Sequence, residues 1–249
     1  MPVAPTKTTT KRRKPAKLSD QEKEILTHID SIFAALNTTA TLLPVSDRGK
    51  GNRYEIYLYL RLARLLKRQA TTFAPVCKTP GTFLFNESPG TVNDKHSYFA
   101  FTHNKEDFEL RNGVEFKGHS MNHEVDISIS KPLLTGTYGP LQDLRLAIEC
   151  KYHGKKNNLK GQLRSLAGTV IDLNEYAHGW KSGLYFYYYY YGISFYAFFA
   201  SQHEVTDTNG YLSYLRNYGI GPLFNFHPSS SDRAAAWRLV QHFLRDPTP

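Results

Sequence analysis

Between His123 and Ser130 the apolar residues Val125, Ile127 and Ile129 alternate with the polar residues Asp126, Ser128 and Ser130. That two-residue period predicts a half-buried strand. A second run alternates Leu144, Leu146 and Ile148 with Arg145, Ala147 and Glu149, and closes on Cys150 and Lys151. Residues 158–176 follow another period. Leu159, Leu163, Leu166, Val170 and Leu173 recur at three- and four-residue steps, which predicts a helix with one buried stripe. Residues 52–70 contain no Gly or Pro, and Tyr54, Tyr57, Leu58, Leu62, Leu65 and Leu66 trace a helical stripe. Ile56, Leu58, Leu60 and Leu62 also alternate there, but the length and the strong formers Leu, Arg, Lys and Ala favour helix.

Residues 18–35 predict an N-terminal helix opened by Ser19, with Glu22 three residues later, and residues 231–244 a C-terminal one capped by Ser231 or Asp232. Residues 37–51 read as a loop. Short strands are expected at 83–85, 98–102 and 108–116, with Asn112-Gly113 as a type I′ turn between Glu109 and Glu115. The aromatic run at 184–200 is too short and too tyrosine-rich for a membrane span. It suits either a surface for base stacking or self-association, or a core strand broken at Gly192; the strand is favoured.

Asp126, Glu149 and Lys151 give these elements a chemistry. Two carboxylates and a lysine at the ends of adjacent strands contribute little to a core. They suit a divalent metal beside a phosphate: hard oxygens bind Mg²⁺ or Mn²⁺ through one or two acids plus the phosphate itself. Asp126 and Glu149 supply such oxygens, and the carbonyl of Cys150 is a third candidate. Lys151 could orient or deprotonate the attacking water, or stabilise charge in the transition state. Singly, each acid is equally an ordinary solvent-facing residue on a one-sided strand, and Lys151 a lysine ending an edge strand.

The order acid, then Glu149-Cys150-Lys151, resembles the catalytic core of the PD-(D/E)XK nucleases, the restriction-endonuclease-like superfamily. The resemblance spans roughly residues 52–183. The proline of the motif is absent, since Val125 precedes Asp126. The segment 161–168 is similar to the helix after the tripeptide in Mrr-type enzymes, with Gln162 where some families keep a polar residue facing the site. The Gln-x-x-x-Tyr variant is not met, because Leu166 stands in its fourth place. The resemblance implies an α/β fold, a mixed central β-sheet flanked by α-helices. It implies Mg²⁺-dependent endonucleolytic cleavage of DNA that leaves a 5′-phosphate, in restriction or defence against foreign DNA. It also implies a third acid on an upstream helix, for which Glu55 is the candidate, with Glu22 and Glu24 behind it. Glu55 could instead close a capping box opened by Asn52.

The charge changes the picture only in places. The 249-residue chain has a net charge of +9, but Lys7, Lys11, Arg12, Arg13, Lys14 and Lys17 crowd its first eighteen residues. The remaining 25 basic residues face 22 acidic ones, so the globular part is near +3. Residues 1–17 are expected to be a disordered basic tail, and 18–249 a single nuclease-like domain with its core at about 52–200. The tail could attract phosphates, address the chain to a nucleus, or merely solubilise its end. Lys155, Lys156, Lys160 and Arg164 make a local basic patch next to Lys151, a candidate nucleic-acid contact together with Gln162. Two cysteines, Cys77 and Cys150, build neither a disulfide framework nor a cysteine zinc site, so a reducing, cytoplasmic setting is expected. His119, His123 and His153 lack the partners and helical spacing of a zinc site. DNA is the expected partner, RNA the milder alternative, and no membrane is expected. A homodimer and a targeting or activating protein stay open, as does a catalytically inactive nucleic-acid-binding or assembly subunit.

Overall fold

Ser19 starts the first helix as its sequence requires. Its backbone N–H donates to Glu22 Oε2 at 3.0 Å while its hydroxyl accepts from the Glu22 N–H at 3.4 Å. In the computed structural model, residues 18–36, 38, 40–43, 45, 48–86, 88–93, 95–153, 159–178, 194–201 and 209–228 are described. Helix α1 (Asp20–Ala35) buries Ile25, Ile29, Ile32 and Phe33, a stripe at three- and four-residue steps. Helix α2 (Lys50–Lys67) is buried nearly all round, with Tyr54, Ile56, Tyr57, Leu58, Tyr59, Leu60, Leu62 and Ala63 inside. It lies between α1 and the sheet, so both its helical stripe and its alternating set find apolar neighbours. The Arg53 guanidinium bonds the Glu22 carboxylate, and Lys50 Nζ stands 3.3 Å from it, pinning α1 to α2. Glu22, the reserve candidate for an active-site acid, is thus occupied in holding two helices together.

The remaining strands are β1 (Thr41–Leu42), β2 (Thr72–Val76), β3 (Thr82–Phe83), β4 (Tyr98–His103), β5 (Glu106–Lys117), β6 (Asn122–Ser130), β7 (Leu144–His153), β8 (Ser194–Ser201) and β9 (Ile220–Leu223). β1 and β3 form a small parallel pair. The other seven build one sheet in the order β2-β4-β5-β6-β7-β8-β9. It is antiparallel from β2 to β7, and parallel where β8 joins β7 and β9 joins β8. The central sheet is therefore mixed but mostly antiparallel. In the chain, α3 (Leu159–His178) lies between β7 and β8, and α4 (Asn209–Asn217) between β8 and β9.

Helices flank the sheet. Ile127, Ile129, Leu146, Ile148, Cys150 and Phe198 pack with α1 and α2. Leu163, Leu166 and Val170 of α3 pack with Ala197 and Phe199 of β8, and Leu173 packs with Leu144 and Ala147 of β7. A register shift at Ile129/Ser130 pairs Ile129 with Leu146 but Ser130 with Leu144. One extra residue of β7 there turns Leu144 away from the cluster that holds Leu146.

Two local expectations are corrected. Asn112-Gly113 is not a turn: both residues lie inside β5, and the hairpin turn is Asn104-Lys105, with φ of +50° and +68°. Gly113 does take a left-handed φ of +62°, but for another reason. Asn86 packs against it, donating from Nδ2 to the Gly113 carbonyl at 2.7 Å, and a Cβ on Gly113 would come within 3.0 Å of that nitrogen. Nor does Asn52 cap α2. The helix opens a turn earlier, at Gly49, without a side-chain cap, which places Glu55 in its second turn and frees its carboxyl from capping.

The basic tail, Lys155 and Lys156, residues 184–193 of the aromatic run and the expected helix at 231–244 lie outside the described residues. No described helix is long and apolar enough to cross a membrane.

Candidate active site

The β6–β7 ladder ends at Ile127↔Ile148. One residue beyond it, the Asp126 side chain takes over from the main chain: its Oδ2 accepts the Cys150 N–H at 2.7 Å. Asp126 is 8% exposed, so this bond holds its carboxylate at the floor of the site. Alternation along β7 then sends Glu149 and Lys151 to one side and the Cys150 side chain to the other. The Cys150 thiol is buried among core residues, and burial together with Asp126 pushes its pKa well up. Cys150 therefore serves the site through its backbone.

Lys151 Nζ lies 3.5 Å from Asp126 Oδ2 and contacts Glu149 Oε1 directly. Desolvation works to lower the lysine's pKa, but the two carboxylates outweigh it and raise it, so the ammonium is charged at neutral pH. The acids shift the other way. Burial and the neighbouring Asp126 push Glu149 up to about 7, against the pull of Lys151. Burial also raises Asp126, opposed by Lys151 and the Cys150 N–H.

Glu55 reaches this group from α2. Its Oε1 accepts from Asn112 Nδ2 at 3.1 Å, and burial followed by the charge of Asp126 raises its pKa well above the usual carboxylate range. Asn112 is itself fixed on both ends, its Oδ1 accepting from the Asn86 N–H at 3.2 Å and its Nδ2 donating to the Asn86 carbonyl at 3.1 Å. Glu124 is the acid that sequence reasoning passed over. It stands two residues before Asp126 on β6, and burial and Asp126 raise its pKa. Its cross-strand partner is another acid, Glu115. The signal was present in the alternation of β6, which puts residues 124 and 126 on one face.

The other expected site residues are more scattered. Gln162 lies on α3 with its Oε1 buried and without a hydrogen-bond partner, while Lys160 and Arg164 are exposed on the same helix. His123 and His119 hold a turn. His123 Nε2 is 2.6 Å from Asp172 Oδ2, and the His119 N–H donates to the Asp172 carbonyl at 3.1 Å. The Ser120 hydroxyl and N–H donate to Asp172 Oδ1 at 2.6 and 2.8 Å. These donors overcome desolvation and keep Asp172 at about 2. Asp172 thereby fastens α3 to the β5–β6 hairpin.

Among the described residues, no group of three or more His, Cys, Asp and Glu side chains is arranged to hold a metal. The donors that fit a hard cation are the pair Asp126 and Glu149, which already share one cation, the Lys151 ammonium. Around that single ammonium stand Glu55, Glu124, Asp126 and Glu149, whose pKa values are raised first by burial and, for Glu55, Glu124 and Glu149, further by the charge of Asp126. Such a site takes up either protons or a further cation. No family model, no curated protein and no solved structure matches the chain.

Proposed function

We propose that the chain is a divalent-metal-dependent nuclease with a restriction-endonuclease-like core, hydrolysing DNA phosphodiesters endonucleolytically. The observation that carries this is the Lys151 ammonium held against both Asp126 and Glu149 where the β6–β7 ladder ends. Asp126 and Glu149 are the side chains that would hold Mg²⁺ or Mn²⁺, with the Cys150 carbonyl between them in sequence. A bound divalent ion supplies Lewis-acid polarisation of the phosphate and a more acidic water.

The chain's own residues do the rest. The Cys150 N–H keeps Asp126 in one orientation, so the carboxylate meets its partner without first paying rotamer entropy. Lys151 begins as the counter-ion of both acids. Once their charge is matched elsewhere, its ammonium is free to turn to the phosphate and stabilise the negative charge that develops there. Glu55, steadied by Asn112, places a third carboxyl near the pair. Gln162, Lys160 and Arg164 on α3 position the strand, and restriction or defence is the cellular setting that suits the activity.

The test is cleavage of supercoiled plasmid with Mg²⁺, with Mn²⁺ and with EDTA, alongside Asp126→Ala and Lys151→Ala. Nicking or linearisation is expected only with metal and wild-type protein. Cleavage that survives EDTA or either substitution refutes the assignment.

A further inference from the structure

The basic residues of α3 belong to a larger surface that reaches α4. From Leu159 to Ile171, and again from Asn209 to Pro228, the chain carries no acidic residue, yet Lys160, Arg164 and Arg216 stand exposed in these segments. The two segments are neighbours: Leu163, Leu166 and Val170 of α3 share one cluster with Leu215 of α4 and Ile220 of β9. Tyr214 and Tyr218 lie half-buried at its margin, their rings 5.1 Å apart and tilted by 60°. Arg164 is close enough to Tyr214 to pull its phenol's pKa down, against the larger rises from burial and from Tyr218.

Gly168 sits one turn beyond Arg164 and is exposed, and a Cβ there would meet nothing within 4 Å. Glycine weakens a helix interior, and among the described residues packing gives no reason for it here. What it leaves is a low surface one turn from the Arg164 guanidinium. The surface is joined to the acid site through β8. Lys151 is the register partner of Phe199, and Phe199 stacks on Phe224 at 4.9 Å, which in turn meets Tyr211 of α4.

We propose that this α3–α4 face binds an unpaired nucleic-acid strand, with phosphates at Lys160 and Arg164 and a base against Tyr214 and Tyr218. It deepens the nuclease assignment and rests on it for the strand's destination, by naming a single-stranded or locally opened substrate. Cations alone would suit any polyphosphate. An aromatic pair among them favours unpaired bases, because only a base out of its duplex offers a face to stack.

The experiment is fluorescence anisotropy of labelled oligothymidylate, and of a labelled duplex, with the full chain in EDTA, so that binding is read without cleavage. Wild type is expected to bind oligothymidylate more tightly than duplex. Tyr214→Leu should weaken it roughly tenfold and Tyr214→Phe should not, since the ring face is what binds. Lys160→Gln and Arg164→Gln should each reduce the salt dependence by about one counterion. Gly168→Gln should weaken binding while raising the melting temperature, which a purely structural effect would not do. Duplex bound as tightly as oligothymidylate, or affinity unchanged in Tyr214→Leu and Arg164→Gln, overturns the proposal. Binding that follows this pattern in a chain that cleaves nothing removes the nuclease assignment and leaves the surface standing.

Discussion

Replacing Glu149 with Gln removes one charge from the site at almost constant shape, and its effect on stability has a definite sign. In the folded chain, burial and Asp126 raise the Glu149 carboxyl from 4.5 to about 7. The folded state therefore binds a proton more tightly than the unfolded one, and stability falls as pH rises from the unfolded pKa through the folded pKa. The full displacement corresponds to about 3 kcal/mol, a large share of the stability of an ordinary domain. In Glu149→Gln that loss is absent, while Lys151 keeps Asp126, 3.5 Å away, as its counter-ion. Urea unfolding in EDTA from about pH 5 to about pH 8 tests this, with wild type expected to lose about 3 kcal/mol relative to the variant across the range. Parallel pH profiles would refute the reasoning. So would a variant less stable than wild type at the alkaline end, because the Glu149–Lys151 pair would then outweigh the cost of burying both charges.

Three further outcomes can be checked with the same unfolding assays. Mg²⁺ at about a hundred times its dissociation constant should stabilise wild type by about 2.7 kcal/mol, and Asp126→Asn should abolish that gain in a thermal melt. Arg53→Ala strips the buried Glu22 of its guanidinium and leaves it the Ser19 donors and, as a cation, the half-exposed Lys50, so it should lower the urea midpoint by the equivalent of about 3 kcal/mol. Gly139→Ala would drive a Cβ to 2.5 Å from the ring of fully buried Phe116 and should cost about 1–3 kcal/mol of overpacking, read from the same midpoint.

Much of the core was legible because its segments obey one period each: the α1 and α3 stripes and the strands β6 and β7 reappear in the structure, but β6, expected to be half-buried, is buried on both faces from Val125 to Ser130. β2 and β9 were missed for a physical reason. Each contains a proline, Pro75 or Pro222, which argues against a strand, yet both strands lie at the outer edges of the sheet, where a missing N–H costs no ladder bond on the open side. Asn112-Gly113 carries the strongest short hairpin signal in the chain and is not a hairpin, because Asn86, distant in sequence, supplies the bonds that a turn would have made. α2 starts a turn before its expected cap because Arg53 and Lys50 reach back to Glu22 on α1. In each case the deciding partner lies elsewhere in the chain, beyond any local window.

The acids keep the alternation of their strands, and the sequence shows their order and spacing but not that Asp126 is buried. Asp126 occupies a buried position in β6, and Glu149 and Lys151 follow three apolar residues of β7. Glu124, at the same parity as Asp126, looks from sequence like an ordinary solvent-facing residue. Only the strand register shows that Glu115 lies opposite, two like charges where a fold built for stability alone would place a favourable pair. Glu55 adds a buried carboxyl supported by one amide hydrogen bond. Each of Glu55, Glu124, Asp126 and Glu149 has its pKa raised, so each subtracts stability as pH climbs towards neutrality. One lysine offsets part of that total. Glu149 is the position where a neutral isostere should stabilise the chain, and the gathering of four acids with raised pKa values around a single ammonium is a local inconsistency of the kind that functional sites carry.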